Sequence, residues 1–307
     1  MKSDQILETI DSTASARLAR RSFLRRAGIL GIGAAAGLTM AAYPAHAESE
    51  SQMEAAQEAE QSQDTVKEIF TAALIAEDLA SVFYFNGLVG NVIQDPNLAG
   101  PGGSATNVTS GGNFGNVDYL RAALTEEIAH ASLFRSLLGI SSPSSDPVQT
   151  FYFPSGAFDT LGAFTGLLNA LENAFIGAYL NAIQEFSIKS VHARQARGGA
   201  AASYSRNDPQ YTAEQLDYFA KVAASIMGVE AEHRVLGRVI SNTNPANNLN
   251  YQQTDGLNAV YNGPNSAVAA LTPFLSPKTG PGYSLATTLA NQSGVASTNV
   301  TGNPPAF

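Results

Sequence analysis

Two copies of the pattern Glu-x-x-His, each on a stripe of apolar residues with helical spacing, constrain this chain most. The first copy is Glu127 with His130, and the second is Glu230 with His233. Residues three apart share one face of an α-helix, so both members of each pair point toward the core. A buried carboxylate is costly unless something pairs with it. Two such pairs on two helices therefore predict a shared metal site.

Two more predicted helices each carry a single acid on an apolar stripe. Glu77 lies in a helix expected from about residue 64 to 92, and Glu172 lies in a helix expected over 157–197. None of the four stripes supplies a Lys or Arg, and four buried carboxylates without cations would repel one another. Two divalent ions would remove that penalty. Oxygen and imidazole ligands without sulfur suit iron or manganese, with zinc as an alternative.

The helical patterns together predict an all-α four-helix bundle over residues 64–241. The second helix is expected over 117–139 and the fourth over about 212–241. The 17 residues 140–156 contain three prolines and cannot be helical throughout. Extended at about 3.3 Å per residue, they reach roughly 55 Å, whereas the second helix is roughly 35 Å long. This link is expected to be a long crossover that makes helices two and three parallel.

The segments around the bundle are expected to be less regular. Residues 48–63 are acidic and polar and predict a linker, and the Gly-rich stretch 95–115 predicts a long surface loop. Residues 242–307 are rich in Asn, Gly, Pro, Ser and Thr. We expect them to form an irregular C-terminal extension packed on the bundle, with a short helix near 264–271.

The N-terminal segment 1–47 has the features of an export signal. Arg20 and Arg21 form a twin-arginine pattern, an apolar Gly/Ala-rich run follows over 27–43, and an A-x-A cleavage site ends at Ala47. The apolar run is too short and too rich in glycine for a membrane span. The pattern predicts a Tat signal peptide, a periplasmic or secreted product, and no stable membrane span after cleavage.

Composition excludes several classes of site and partner. The chain has no cysteine, which rules out thiolate metal ligands, iron–sulfur clusters, disulfides and a cysteine nucleophile. Residues 1–47 contain six of the 17 Lys/Arg and three of the 26 Asp/Glu, so the rest of the chain carries a formal charge of −12. Such a surface argues against nucleic acid or an anionic membrane as partner. It suits a protein that attracts cations.

The ligand set resembles that of the ferritin-like di-metal carboxylate superfamily, in which single acids on two helices join Glu-x-x-His on the other two. The order along this chain is also the same, including the crossover in the middle. More narrowly, the segments 76–84, 171–180, 229–233 and 269–275 are similar to exported bacterial ferritin-like domain proteins, a group that includes desiccation-related proteins. The resemblance covers roughly residues 65–275.

This resemblance implies a role for each candidate residue. The implied ligands are the terminal carboxylates Glu77 and Glu172, the bridging carboxylates Glu127 and Glu230, and the terminal imidazoles His130 and His233. Tyr84, seven residues after Glu77, is implied as a redox neighbour of the metals, with a plain packing role as the alternative. Glu126 is expected to accept a hydrogen bond from His233. The equivalent position before Glu230 is Val229, so His130 lacks such a partner.

Two functions of different classes are left open by the sequence. The first is a di-iron or di-manganese protein that reacts with O₂ or peroxide, as an oxidase, a peroxide-consuming enzyme or an iron-handling protein. The second is a non-catalytic ferritin-like structural protein of desiccation or envelope stress, without a functional metal. Storage in a ferritin-like cage is less favoured because the long loops and the tail would hinder shell packing. The expected partners are metal ions and, for the precursor, the Tat machinery; a homodimer is left open.

Overall fold

The structure, a computed structural model, describes residues 64–197, 208, 211–243, 257 and 259–298. The predicted signal peptide and acidic linker, residues 1–63, lie outside the described residues. The same holds for 299–307 and for most of 244–258.

Four long helices make up most of the described chain: α1 Val66–Val89, α2 Phe114–Leu138, α3 Leu161–Arg197 and α4 Ala213–Ile240. Their ends follow local chemistry. Thr65 caps α1 and Thr212 caps α4, each in a reciprocal capping box that satisfies free N–H groups. Gly139 ends α2 in the left-handed conformation, with φ 69°. Asn113 caps α2, so this helix begins three residues before the predicted start.

The contacts of Phe70, near the start of α1, show the direction of each helix. Its ring centroid lies 5.9 Å from that of Phe134 late in α2 and 5.6 Å from that of Phe186 late in α3. It lies 5.0 Å from the ring of Phe219 early in α4. Helices α2 and α3 therefore end where α1 and α4 begin. The predicted parallel arrangement of α2 and α3, and with it the all-α bundle, is confirmed.

The crossover between α2 and α3 is held to the bundle by a buried ion-pair network. Arg135 of α2 donates from Nε to Asp146 of the crossover at 2.7 Å and from Nη2 to Asp78 of α1. Burial raises the pKa of Asp78 to about 8, and the nearby Asp146 carboxylate adds to this rise, although the Arg135 guanidinium opposes it. This network joins three elements at one point of the core.

The C-terminal extension is more regular than the sequence suggested. Strand β1, Thr150–Tyr152 of the crossover, pairs antiparallel with β2, Gly282–Ser284 of the extension. Two short helices, α5 Ala267–Leu271 and α6 Leu285–Asn291, flank β2 in the chain. Helix α5 falls within the predicted 264–271, whereas β1, β2 and α6 were not predicted.

Both halves of the extension are tied to the bundle by polar contacts. The Asp64 carboxylate accepts from the N–H groups of residues 260, 261 and 262 at 2.9–3.0 Å. Arg121 of α2 donates to the carbonyls of Val295 and Ala296 at 2.8 and 3.1 Å. Among the described residues, α1 is the one helix long and apolar enough to cross a membrane, and 89% of its most apolar window is buried. That burial is expected of a core helix.

Candidate metal centre

The six predicted ligands lie side by side in the interior of the bundle. The single acids come from α1 and α3, and the Glu-x-x-His pairs come from α2 and α4: Glu77, Glu172, Glu127 with His130, and Glu230 with His233. The four carboxylate residues are 2% exposed or less. They are buried because the apolar stripes that carry them form the core of the bundle.

The ligand atoms form two groups that share members. One group is Glu77, Glu127, His130 and Glu230, and the other is Glu127, Glu172, Glu230 and His233. Within each group, one ligand atom from every residue lies within 4.8 Å of the others. The shared members are Glu127 and Glu230. The geometry is therefore that of two adjacent positions with two carboxylates between them.

Each histidine turns its Nδ1 toward the carboxylates. Nδ1 of His130 lies 3.2 Å from Glu77 Oε2 and 3.7 Å from the nearer oxygens of Glu127 and Glu230. Nδ1 of His233 lies 2.9 Å from Glu127 Oε1, 3.4 Å from Glu230 Oε2 and 3.9 Å from Glu172 Oε1. The two halves of the cluster thus have matching arrangements.

Several of these buried polar atoms have no hydrogen-bond partner. They include both carboxylate oxygens of Glu127 and of Glu230, one oxygen of Glu172, and Nδ1 of His233. The 2.9 Å approach of His233 Nδ1 to Glu127 is therefore close without being aligned for a hydrogen bond. Buried polar atoms are normally satisfied, and an unsatisfied charge is especially costly. Unpaired oxygen and imidazole donors converging on one point fit divalent cations.

The pKa values of the cluster reflect its burial and the crowding of its carboxylates. Burial raises the pKa of Glu127, Glu172 and Glu230, and the neighbouring carboxylates raise these values further. Burial alone would lower the pKa of His130 and His233, but the surrounding carboxylates raise both well above the usual value of 6.5. Without metal, protons take the place of cations in this cluster.

Two tyrosines bind the terminal carboxylates across the bundle. Tyr84 of α1 donates to Glu172 Oε1 of α3 at 2.6 Å, and Tyr179 of α3 donates to Glu77 Oε1 of α1. Burial, reinforced by the nearby carboxylates, raises the pKa of both hydroxyls well above 10, so both keep their protons at neutral pH. Tyr84 was predicted as a neighbour of the site, but the role of Tyr179 was not. Both follow a single acid by seven residues, a repeated spacing that would have revealed Tyr179.

The two histidines differ in what lies behind them. Nε2 of His233 lies 2.9 Å from Glu126 Oε2, which confirms the predicted hydrogen bond. The corresponding position on α4 is Val229, and the structure gives His130 no carboxylate from that position. The His130 side chain is 14% exposed, whereas that of His233 is 1% exposed. One half of the cluster is thus closed by a second carboxylate, and the other half reaches the surface.

A bundle of four helices with this order of acids and histidines is consistent with a ferritin-like fold. Residues 65–208 match the family model of the ferritin-like domain. The match covers α1, α2 and α3 and supports a place in the ferritin-like superfamily, while α4 with Glu230 and His233 lies beyond it. No curated protein and no solved structure shows significant similarity to the chain.

Proposed function

We propose that the cluster binds two divalent metal ions, iron or manganese, and that the loaded protein reacts with O₂ or peroxide. The observation that carries this proposal is that two groups of ligand atoms share Glu127 and Glu230. A cluster that served only packing would have no reason to bury four acids, three of which have at least one unpaired oxygen. Glu77 and His130 would complete one position, and Glu172 and His233 the other.

Charge and donor type favour these metals. Four carboxylates carry a charge of −4, which two divalent ions balance if both histidines are neutral. Oxygen and nitrogen donors without sulfur suit iron and manganese, and zinc stays an alternative. A pair of ferrous or manganous ions bound there would supply two electrons, one from each ion, for the reduction of O₂ or peroxide.

The chain's own residues would orient the ligands and exclude water. The Tyr84 and Tyr179 hydroxyls each hold one oxygen of a terminal carboxylate, which leaves its other oxygen for an ion. The hydrogen bond to Glu126 makes Nε2 of His233 the protonated nitrogen. Its Nδ1 then has a free lone pair that could bind a metal ion. Tyr84 is also the proposed redox neighbour, because its ring centroid lies 5.5 Å from that of His233.

Elemental analysis of protein from cells supplied with iron and manganese tests the proposal. We expect about two metal ions per chain, as in di-metal carboxylate bundles. Glu230→Ala should lose both ions, because Glu230 belongs to both groups. Glu232→Ala is the matched control, since Glu232 is an exposed acid two residues further along α4. Wild-type protein that holds no stoichiometric metal and gains no stability from added iron or manganese would refute the metal assignment. Loaded protein that consumes neither O₂ nor peroxide would refute the reactivity.

Export through the Tat pathway, with a role in oxidative or envelope stress outside the cytoplasm, is part of the same proposal. Its support is the order of the three signal features in residues 1–47. Replacing Arg20 and Arg21 by Lys should retain the precursor in the cytoplasm, as measured by fractionation and immunoblotting. The control is a conservative Lys2→Arg change outside the paired arginines. Normal export of the double variant would contradict the Tat assignment.

A further inference from the structure

An apolar cavity lies between α1 and α3, beneath the short helix α5 of the extension. It exists because facing turns of the two long helices carry alanine: Ala72, Ala73, Ala76, Ala174, Ala178 and Ala182. Alanine side chains are too short to fill the space between the helix axes. Residues Ala267 and Leu271 of α5 line the cavity on its outer side, and its volume is 20 Å³.

The cavity lies one side chain away from the carboxylate cluster. Tyr179 is part of its wall and donates a hydrogen bond to Glu77. Ala73 and Ala76, which also line it, lie one turn before Glu77 and directly beside it in the sequence. Ala178, on the opposite wall, is partly exposed to solvent. The cavity thus lies between a partly exposed part of α3 and the cluster.

The size and lining of the cavity restrict its occupant. A volume of 20 Å³ leaves room for one small molecule of one or two heavy atoms. Tyr179 is the only residue with a polar side chain in the lining that the structure describes, and its hydroxyl is already bound to Glu77. A water or hydrogen peroxide molecule would leave its O–H groups unpaired there, which is unfavourable in an apolar environment. A small apolar diatomic molecule has no O–H groups and therefore loses no hydrogen bonds on entering the cavity.

We infer that this cavity is a docking site for dioxygen on its way to the carboxylate cluster. The inference rests on the proposed function and narrows it, because the lining admits O₂ and disfavours peroxide. Tyr179 is then the boundary between the docked gas and the cluster. The proposed docking site is the alanine-lined space itself.

Xenon binding tests the cavity without reference to metal or turnover. Crystals of the metal-free protein under xenon pressure should show xenon between α1 and α3, since apolar cavities take up xenon. Ala178→Val and Ala73→Val fill the space from opposite walls and should each abolish that site. Ala193→Val, a partly buried position on α3 outside the lining, is the matched control and should keep it. Absence of xenon from the wild-type cavity, or its retention in both filled variants, would overturn the inference.

A second measurement separates O₂ from peroxide. In ferrous-loaded protein, oxidation by O₂ should slow roughly tenfold in the filled variants, because the fraction of protein with docked gas falls. Oxidation by peroxide should change little, and Ala193→Val should match wild type in both. Equal slowing with both oxidants would overturn the inference. Xenon in the cavity of a chain that binds no metal would instead refute the proposed function, and no xenon in a chain that loads normally would refute the docking site alone.

Discussion

Replacing the shared ligand Glu127 by leucine should have opposite effects on stability with and without metal. Glu127 is fully buried, and neither of its oxygens has a hydrogen-bond partner. A buried polar group without a partner costs about 1–3 kcal/mol, and a charged one costs more. Leucine has a similar size and removes that cost. The free energy of unfolding of the metal-free protein should therefore stay constant or rise by up to about 3 kcal/mol.

In the presence of metal the order should reverse. Free metal at about 100 times its dissociation constant stabilises the wild-type protein by about 2.7 kcal/mol per ion. For a domain of about 150–250 residues, 1 kcal/mol corresponds to about 2–4 °C in melting temperature, so each ion should add roughly 5–11 °C. Glu127→Leu removes a ligand common to both groups and should lose this increment entirely.

Differential scanning calorimetry of chelated and metal-loaded samples measures both effects. The diagnostic result is a crossing, in which the variant melts at or above the wild-type temperature with chelator and below it with iron or manganese. Glu232→Leu makes the same replacement at an exposed position of α4 and should show no crossing. A variant that shifts the melting temperature equally in both conditions would show that Glu127 acts only in packing, and the metal reasoning would fail.

Three further predictions follow from the same contacts. The metal-free protein should lose stability as pH rises above about 4.5, because acids with raised pKa values keep protons that the unfolded chain releases there. The histidines act in the same direction, because the stability that a raised histidine pKa contributes is complete below pH 6.5 and is lost as pH rises through the folded-state pKa. Urea titrations in which the free energy of unfolding rises with pH would contradict this. Tyr84→Phe and Tyr179→Phe should each weaken metal binding about tenfold, which is the usual loss when a residue that orients a metal ligand is removed. An unchanged metal affinity in chelator competition would show that these hydroxyls do not position the acids. Arg135→Met should destabilise the protein by about 3–5 kcal/mol, because Asp78 and Asp146 stay buried without a cation; a loss under about 1 kcal/mol in urea unfolding would mean that the network is not needed.

The fold was predictable because its main determinants are local. Apolar stripes with helical spacing predicted four helices, and Thr65, Thr212 and Gly139 fixed three of their ends through caps that the sequence shows directly. The length of the crossover predicted the parallel pair. The convergence of the acids also followed from the stripes, because an acid on a core-facing stripe has nowhere to go except the core.

The features that were missed depend on contacts between distant parts of the chain. Strands β1 and β2 are three residues each and lie about 130 residues apart, so no local pattern marks them. The ion-pair network of Arg135 joins α1, α2 and the crossover, and Arg135 is one charge among many in the sequence. Tyr179 is different, since its spacing from Glu172 repeats that of Tyr84 from Glu77. Its partner lies on the opposite helix, and only the paired arrangement of α1 and α3 brings it there.

The cluster has an approximate two-fold relation that is broken at one position. Exchanging α1 with α3 and α2 with α4 carries each acid, histidine and tyrosine of the site onto its counterpart. The relation fails where Glu126 backs His233 and Val229 stands opposite His130. A histidine with its rear nitrogen bound to a carboxylate is a fixed and more basic metal ligand, whereas one without that contact is less constrained. The His130 side chain is also more exposed to solvent than the His233 side chain. Under the proposed function, buried and well-oriented ligands on one side would hold one ion firmly, while the more open position on the other side would let an external molecule approach its neighbour.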